Sequence, residues 1–528
     1  MKFVILFLFF GIFLTKLEAS NILAIWPVQS RANFNVGLAL CEKLGDLGHK
    51  ITLISPYDQR EPHANINFVK LDRVANAVDV IQFFEMRNFT LFELMKFHID
   101  AARDKVDFAM GDEALKGILK SPESHDIVIL DSYLNDAMLG VAHFLKSPVI
   151  AFSSTGVSKW SNQMVQNPFN PSYNSNSYLG FTDEMNFYER LLNSAMWIVE
   201  NLFYHFYYIP SQEALYKEHM KEFLPEPIPK LIDLIHNVDL VLLNSHPLSH
   251  PPKAHVPNSV EVGGVHLKTL EDEIHPEFIK VMDRATNGII YFNLGANIKS
   301  SDMPNEKLEV FLKVFNSMID VLVLWKFETI ALKERHGTNI IIGPWLPQQE
   351  ILNHKNLKVF ITQGGYLSTM EALFYGKPII GMPFFNEQKS IIERSVSQGY
   401  GLSLDYDELS EESLNSTIQM IFNNSTFQRN AEKYSAVLKD NPISPIDKAV
   451  YYVEHVIRHH GVDHLKVAAT KLSFCQLHLI DQITFIAFVL LIAISILSKS
   501  IKCFKMKFQK RNKSDSVKNS KRKKLKSN

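Results

Sequence analysis

The segment Trp345–Gln388 carries residues whose types and spacing suit the binding of a nucleotide that is joined to a sugar. A buried strand is predicted to end at Thr362, and Gly364 and Gly365 let the backbone turn tightly and approach a ligand. A helix is predicted from near Ser368, so its free N–H groups and positive dipole end face the same point. This arrangement predicts a phosphate site.

Side chains around this turn supply groups for the other parts of such a ligand. Trp345 offers a flat face for a base, and Gln348 offers amide groups for the edge of that base. Glu371, expected on the first helical turn, has a carboxylate that accepts two hydrogen bonds from a ribose diol. Glu387 and Gln388, expected at the end of the next strand, are placed to accept the hydroxyls of a sugar. The ordered set is a much stronger signal than its glycine pair alone.

Two series of alternating strands and helices are predicted to position these residues. The first series has strands at 21–26, 50–55, 126–130, 148–153 and 238–245, and helices at 34–47 and 135–144. The second series has strands at 288–293, 321–326, 339–342, 358–362 and 378–382, and helices at 306–317 and 367–375. Alternation of this kind predicts an α/β fold with parallel sheets covered by helices.

The chain is predicted to form two domains, because 528 residues exceed the size of one ordinary core. Four prolines within His246–Pro257 interrupt regular structure and mark the boundary. We expect domains at 20–245 and 287–470, joined by a linker and the start of the second domain at 246–286. Ligands of open α/β sheets bind beyond the carboxyl ends of the strands, so the cleft between the domains is the expected site.

Residues 1–19 are predicted to be a cleaved secretory signal peptide. Lys2 precedes an apolar run, Phe3–Leu14, and the small residues Ala19 and Ser20 follow. The alternative is a buried first strand. A second strand-like run follows immediately, which argues against this alternative.

A second apolar run, Ile483–Leu497, predicts a transmembrane helix at 480–498. The tail at 499–528 has eleven lysines and two arginines against one aspartate, which places the tail in the cytosol and the body in a lumen. A core helix is the alternative. Lys524 and Lys526 resemble a dilysine retrieval signal, so we expect a single-pass type I protein of the endoplasmic reticulum membrane.

The composition limits the class of partner. The formal net charge is −1 although the tail is strongly basic, so the body is acidic and nucleic acid is not an expected partner. Three cysteines cannot form a disulfide framework. Four sequons predict glycosylation of a lumenal body at Asn88, Asn415, Asn423 and Asn424.

The segment WLPQQEILNHKNLKVFITQGGYLSTMEALFYGKPIIGMPFFNEQ resembles the signature of the membrane-bound animal UDP-glycosyltransferases, the family that includes the UDP-glucuronosyltransferases. The resemblance extends over nearly the whole chain. It implies a GT-B fold, in which two Rossmann-like domains face a cleft, with a C-terminal transmembrane helix. The first domain would bind the acceptor and the second the UDP-sugar, which is a co-substrate, without a metal or another cofactor.

The resemblance also implies roles for individual residues near the donor. These are Trp345 on uracil, Gln348 on uridine, Glu371 on the ribose, Glu387 and Gln388 on the sugar, and Gln363, Gly365, Ser368 and the loop of Ala296 beside the diphosphate. The family usually has His at Gln363, Ser at Ala296 and Asp at Glu387. A charge-assisted hydrogen bond is about twice as strong as a neutral one, so these changes predict weaker donor binding.

The largest departure from the family concerns the catalytic base. The family's base is a His sixteen residues before the His of a Gly-His pair, and here Asn33 stands sixteen residues before His49. Its usual Asp partner is matched by Asp131, in IVILDSYLNDA. In the usual mechanism the His takes the proton of an acceptor hydroxyl, which then attacks the anomeric carbon with inversion. A positioned base contributes about 10²–10⁴-fold, and Asn has no useful basicity.

Several readings of Asn33 stay open. Asp131 itself acts as the base if burial raises its pKa, or the acceptor is an amine or another nucleophile that needs little deprotonation. Alternatively, the protein binds a UDP-sugar or a lipophile with weak or no turnover, or the alignment at Asn33 is displaced. A structural role is expected for the histidines that are other potential bases, His63, His98, His125 and His143.

The expected reaction is inverting transfer of a hexose from a UDP-sugar to a small lipophilic acceptor. Glucose is favoured over glucuronate as the donor sugar. A glucuronate carboxylate needs nearby cations, and the sequence offers only one beside Glu387, namely Lys389. Homo-oligomerisation stays open.

Overall fold

The computed structural model describes residues 19–27, 30–58, 62–77, 85–267, 276–329, 332, 335–384 and 387–525. The predicted signal peptide, apart from its last residue, lies outside the described residues, as does Lys526 of the predicted retrieval signal. The chain divides into two compact units, Met1–Val467 and Ala468–Asn528.

The first unit contains two parallel sheets, and the first of them has seven strands in the order β3-β2-β1-β4-β5-β6-β7. Its strands are β1 Asn21–Ile25, β2 Lys50–Ser55, β3 Ile66–Lys70, β4 Ile127–Asp131, β5 Val149–Ser153, β6 Leu240–Leu243 and β7 Ser259–Glu261. Every described pairing is parallel, including β1 with β4 and β4 with β5. The carboxyl ends of these three central strands therefore lie side by side at one edge of the sheet.

Helices connect and flank the strands of the first sheet. They are α1 Arg31–Asp46, α2 Asp72–Ala75, α3 Leu91–Met110, α4 Glu113–Lys120, α5 Leu139–Leu145, α6 Lys159–Val165, α7 Phe187–Phe203, α8 Ile209–Met220 and α9 Leu231–Ile235. Short 3₁₀ turns occur at Glu85–Asn88 and Asp136–Met138, and a π-helical turn, Tyr204–Tyr208, joins α7 to α8.

The second sheet has six strands in the order β10-β9-β8-β11-β12-β13. They are β8 Ile289–Asn293, β9 Leu322–Lys326, β10 Ile340–Gly343, β11 Leu357–Thr362, β12 Ile379–Gly381 and β13 Gly401–Ser403. Its helices are α10 Pro276–Arg284, α11 Asn305–Ser317, α12 Gln348–Asn353, α13 Tyr366–Phe374, α14 Glu387–Ser397, α15 Glu411–Asn423 and α16 Thr426–Lys439. A 3₁₀ turn lies at Ser300–Asp302.

Both faces of each sheet are buried, which explains why the strands are nearly uninterrupted runs of apolar residues. In β1, Leu23 and Ile25 pack into one hydrophobic cluster, whereas Ile22 and Ala24 pack into the cluster on the other face. The second sheet has the same two-sided burial. The predicted α/β architecture with two parallel sheets is therefore confirmed.

Two details near the predicted site differ from the sequence expectation. The helix after β11 begins at Tyr366 with Gly365 as its N-cap, so Glu371 lies on the second turn rather than the first. Strand β12 ends at Gly381, and Glu387 begins α14, so Glu387 and Gln388 start a helix rather than end a strand. Periodicity placed the elements, but it did not fix the ends of this short strand and of the helix after it.

The final helix of the first unit returns to the first sheet. This helix, α17 (Pro445–His459), places Ala449, Val450, Val453 and Val456 in the hydrophobic cluster formed by one face of that sheet and α1. Strand β7 also joins the first sheet, from within the segment 246–286 that was expected to be a linker. Pairing between elements that lie far apart in sequence leaves no local signal, so neither feature was predicted.

The second unit is dominated by one long helix. After the short helix α18 (Phe474–Leu477), α19 extends from Ile480 to Leu525. It contains an apolar segment long enough to cross a membrane, in the region that was predicted as a transmembrane helix.

Candidate active site

Three of the predicted donor-binding residues are in direct contact at the carboxyl edge of the second sheet. The Nε2 of Gln348 donates to Glu371 Oε2 at 2.6 Å and lies 3.2 Å from Ser368 Oγ. On its other side, Gln348 Oε1 accepts a hydrogen bond of 2.7 Å from Asn293, the last residue of β8. This network, which we call the Gln348 cluster, fixes the Glu371 carboxylate against the first two turns of α13.

A histidine that the sequence did not indicate completes the setting of Glu371. His266, which follows β7, is buried, and its Nε2 lies 3.4 Å from Glu371 Oε1. Its carbonyl accepts a hydrogen bond from Gln349, the neighbour of Gln348. His266 is outside the signature segment and has no spacing relation to it, so only the fold reveals this contact.

The turn between β11 and α13 has the geometry of a phosphate loop. Gly364 has a φ of +84°, and a Cβ there would lie 2.5 Å from the side chain of Ile392. Gly365 has an ordinary φ of −60° and caps α13, so its neighbour Gly364 makes the turn. The amides of the first turn of α13 therefore face the cleft, where they can bind an anion.

Gln363 is held where the phosphates are expected. Its Oε1 accepts a hydrogen bond of 3.2 Å from Gln388, whose own Oε1 accepts from the backbone N–H of Phe384. The Nε2 of Gln363 lies against Gly295, where a Cβ would approach it to 2.5 Å. Gly295 precedes Ala296, so the structure brings the two predicted phosphate loops together.

A buried lysine lies beneath the Ala296 loop. Lys326, at the carboxyl end of β9, donates a hydrogen bond of 3.0 Å to the carbonyl of Gly295 and pairs with Glu328 at 2.6 Å. Its ammonium group fixes the loop, while the Glu328 carboxylate balances its charge. A charged residue at the carboxyl end of a predicted buried strand is a signal that could have identified it.

The two remaining donor residues differ in what the structure shows. Trp345, between β10 and α12, is 46% exposed, the property that a stacking surface for a base requires. Glu387 is the first residue of α14, and its side chain lies outside what the structure describes.

Asp131 ends β4 of the first sheet and is fully buried. The backbone N–H of Tyr133 and the Nδ2 of Asn135 each donate to its Oδ2 at 3.4 Å. Burial raises the pKa of Asp131 to about 7, against the opposing effect of the Lys105 ammonium and the Tyr133 N–H. Lys105, on α3, is also buried and donates to the carbonyl of Tyr133 at 3.3 Å.

Asn33 lies on the helix that follows β1, and Asp131 ends the neighbouring strand β4, but the two residues are not joined by a hydrogen bond. Asn33 is the third residue of α1, which follows β1, and its carbonyl accepts a hydrogen bond of 3.3 Å from Ser154 Oγ. Ser154 follows β5, and β4 lies between β1 and β5 in the sheet. Within the described residues, no hydrogen bond joins Asn33 to Asp131.

A cavity of about 500 Å³ opens between residues of both sheets. Its wall includes residues next to Asp131 and Ser154, residues of α6 and α7, and residues of α13 and α14: Tyr133, Thr155, Lys159, Glu200, Tyr366 and Arg394. The cavity is therefore lined both by segments that follow strands of the first sheet and by helices α13 and α14 of the second.

Comparison with known proteins assigns this arrangement to a family. A family model described as "UDP-glucoronosyl and UDP-glucosyl transferase" matches residues 56–515. UDP-glucosyltransferase 2 of Dactylopius coccus is 31% identical over 90% of this chain and 92% of its own length. This chain belongs to the UDP-glycosyltransferase family.

Other members of the UDP-glycosyltransferase family align over similar lengths. The 2-hydroxyacylsphingosine 1-beta-galactosyltransferase of Rattus norvegicus is 28% identical, with 90% of this chain and 86% of that one covered. UDP-glucuronosyltransferase 1A8 of the same organism is 28% identical, with 92% and 93% covered. The names of these two relatives and of the Dactylopius protein refer to three different sugars.

Solved structures confirm the GT-B fold of this UDP-glycosyltransferase. The glycosyltransferase VinC, solved in complex with DTDP, superimposes with a TM-score of 0.57 at 13% identity, over 83% of this chain and all of that one. UDP-glucose: anthocyanidin 3-O-glucosyltransferase, solved with UDP, gives a TM-score of 0.53 at 16% identity, with 84% of this chain and all of that one covered.

Within the part of the chain that the structure describes, no histidine pairs with Asp131, and three histidines of the first domain have other surroundings. His49 is buried, accepts from the N–H of Ser20 and lies 3.5 Å from Glu454 of α17. His63 pairs with Asp46. His98 lines the cavity, and burial lowers its pKa to about 4, so it is neutral at pH 7.

The four predicted glycosylation sites are on the surface. Asn88 ends a 3₁₀ turn, Asn415 and Asn423 lie on α15, and Asn424 follows that helix; all four are exposed or partly exposed. Their use in glycosylation stays a prediction.

Replacement of Glu371 by Gln is expected to weaken UDP binding about 10–100-fold. The side chain keeps its shape but loses the charge that holds two hydrogen bonds, and hydrogen bonds to charged groups contribute about 1.5–3 kcal/mol. Calorimetry with UDP measures the change. Glu412→Gln, an exposed change on α15, is the control, and an unchanged UDP affinity in Glu371→Gln would refute the ribose assignment.

Replacement of Asp131 by Asn tests the raised pKa through the pH dependence of stability. A folded-state pKa near 7, above the ordinary value of 3.8, means that the wild type loses stability as pH rises from about 4 to 7. The amide that replaces the carboxyl group cannot ionise. The free energy of unfolding of Asp131→Asn is therefore expected to rise relative to that of the wild type across this pH range, by on the order of a few kcal/mol. Thermal unfolding from pH 4 to 8 measures this, and a constant difference between the two proteins would contradict it.

Proposed function

We propose that this UDP-glycosyltransferase transfers a hexose from a UDP-sugar to a small lipophilic acceptor with inversion at the anomeric carbon. The observation that carries the proposal is the Gln348 cluster, which fixes Glu371 beside the N-terminus of α13 at the edge that faces the first domain. Uridine recognition needs a fixed carboxylate for the ribose next to amides for the diphosphate, and this edge offers both.

The donor residues divide the ligand among them. Trp345 stacks on uracil, Gln348 contacts the uridine, and Glu371 accepts from the ribose hydroxyls. Gln363, Gly365, Ser368 and the Ala296 loop contact the diphosphate, together with the dipole of α13. Lys326 positions the Ala296 loop through its hydrogen bond to the Gly295 carbonyl.

Glucose is the proposed sugar, in preference to glucuronate. A glucuronate carboxylate needs a nearby cation, and Lys389 is the residue next to the sugar-binding pair in the sequence. The aliphatic stem of Lys389 packs against Gly180 of the first domain, where an added Cβ would lie 3.1 Å from its Cδ. The relatives' names include glucosyl, galactosyl and glucuronosyl transfer, so they leave the sugar open.

Asp131 is the proposed proton acceptor of the reaction. Its pKa of about 7 means that a proton can move onto it near neutral pH. The acceptor loses that proton as its nucleophilic atom bonds to the anomeric carbon, and UDP leaves from the opposite face. Asn33 has no basic nitrogen to relay the proton, so the favoured acceptors are those whose nucleophile needs little deprotonation, such as an amine.

The protein is proposed to act at the endoplasmic reticulum membrane, with its body in the lumen. The support is the apolar segment of α19, the basic tail after it and the four sequons at the surface. Glycosylation of Asn88 and α15 is expected only if the body enters the lumen. A mobility shift after glycosidase treatment, lost when all four Asn are changed to Gln, is the measurement that checks this orientation.

Asn33→His is expected to raise turnover with hydroxyl acceptors by about 10–10³-fold. An imidazole at the start of α1 supplies the base that this chain lacks, next to a carboxylate that can stabilise its charged form. The rate is measured with UDP-glucose and UDP-glucuronate against phenol and amine acceptors.

Asn33→Gln is the matched control, because it changes side-chain size without adding a basic group. Equal rates for Asn33→His and Asn33→Gln would show that position 33 is not the site of the base. If the wild type transfers no sugar while UDP still raises its melting temperature, the alternative of a UDP-sugar binding protein without turnover is the correct one.

A further inference from the structure

Helix α7 (Phe187–Phe203) has the reverse of the polarity expected for a surface helix. Its buried side carries Asn193, which is fully buried and donates to the carbonyls of Pro171 and Asn174. Glu200, on the same side, is 7% exposed and accepts a hydrogen bond of 2.8 Å from Asn176. Polar side chains therefore fix this helix to the protein, where apolar ones are usual.

The exposed side of α7 is apolar over its whole length. Its exposed residues are Phe187, Tyr188, Leu191, Leu192, Ala195, Ile198, Val199 and Leu202, with Arg190 as the one exposed charge of the helix. At 100° per residue these eight fall within an arc of about 140°, and Arg190 lies outside it. We call this arc the apolar face of α7.

The apolar face is large and strongly exposed. Phe187 is 64% exposed, Ile198 53% and Leu202 51%, and Phe206 in the following π-helical turn is 77% exposed. The face continues onto the first turn of α3, where Phe92 packs edge-on against Phe203 with ring centroids 5.0 Å apart. Scattered exposed apolar residues need no explanation, but a continuous face of this kind marks a contact with something other than water.

We propose that the apolar face of α7 lies in the interfacial region of the bilayer, as a second membrane contact besides α19. The same chain contains a helix long and apolar enough to cross a membrane, so a bilayer is the apolar phase to which the chain is attached. The face has no charge within its arc, begins with the aromatic residues Phe187 and Tyr188 and is followed by the exposed Phe206, a composition that suits helices lying in the plane of the interface.

The buried side of α7 connects this contact to the cavity. Glu200, which fixes the helix, also lines the cavity between the two sheets, and so do Trp160 and Tyr178. One helix thus separates the lipid from the acceptor cavity. This arrangement leads to a prediction that rests on the proposed function: acceptors dissolved in the membrane reach the cavity along α7.

Depth-dependent quenching in the full-length protein tests the contact without any need for activity. In the background Cys475→Ser and Cys503→Ser, which removes the exposed thiols, Ile198→Cys or Leu202→Cys is labelled with the fluorophore NBD. The protein is reconstituted in phosphatidylcholine vesicles that contain doxyl-labelled lipid. Lys120→Cys, at the exposed end of α4, is the matched control.

Quenching of at least twofold at positions 198 and 202, with little at position 120, is the expected result. No quenching at 198 and 202, or equal quenching at all three positions, overturns the proposal. Unquenched labels combined with disulfide cross-linking of Ile198→Cys between two copies would assign the face to a homo-oligomer and also overturn it.

A kinetic measurement tests the consequence for the acceptor. The double change Leu191→Gln and Leu202→Gln leaves the buried polar side of α7 intact and is expected to raise the KM for a membrane-partitioning acceptor at least fivefold. The KM for a water-soluble acceptor and for the UDP-sugar is expected to stay the same. Equal changes in all three would contradict delivery along α7, whereas loss of all turnover in the wild type would bear on the proposed function and leave the quenching result standing.

Discussion

The parallel pairing of every described strand is the constraint on which the site depends. Parallel strands send all their carboxyl ends to one edge, so residues far apart in sequence, such as Asn293 and Thr362, meet without any local preference to bring them together. Burial on both faces excludes water from the middle of each sheet and leaves the edge as the place where polar groups face a ligand. Residues beyond strands of both sheets line the cavity.

Electrostatics at the two edges follow different rules. The edge of the second sheet carries the N-terminus of α13 and neutral amide side chains, and its buried Lys326 is paired with Glu328. At the edge of the first sheet, Asp131 is surrounded by apolar strands, and the Lys105 ammonium only partly compensates for its desolvation. The raised pKa of Asp131 is the property on which its proposed role as proton acceptor depends.

Much of the fold could be predicted from sequence, because apolar runs bounded by polar turns reveal buried strands. The contacts among the predicted donor-binding residues could be anticipated in part, since Trp345, Gln348, Ser368 and Glu371 lie in one continuous segment and the structure brings the last three together. His266 and Lys105 could not be predicted as part of either site, because contacts between distant segments depend on how the sheets pack. The exposed apolar face of α7 could not be predicted for a related reason. Its apolar residues suggest core packing, and only the fold shows which side of the helix is buried.

The return of α17 to the first sheet means that the polypeptide passes between the two Rossmann-like halves twice. One passage follows β7, and the other leads from α16 into α17. The valines of α17 pack against one face of the first sheet. Two connections restrict the relative movement of the halves more than a single connection would. A hinge-like opening of the cleft must then bend both segments, so stiffening either one would alter how readily substrates enter and UDP leaves.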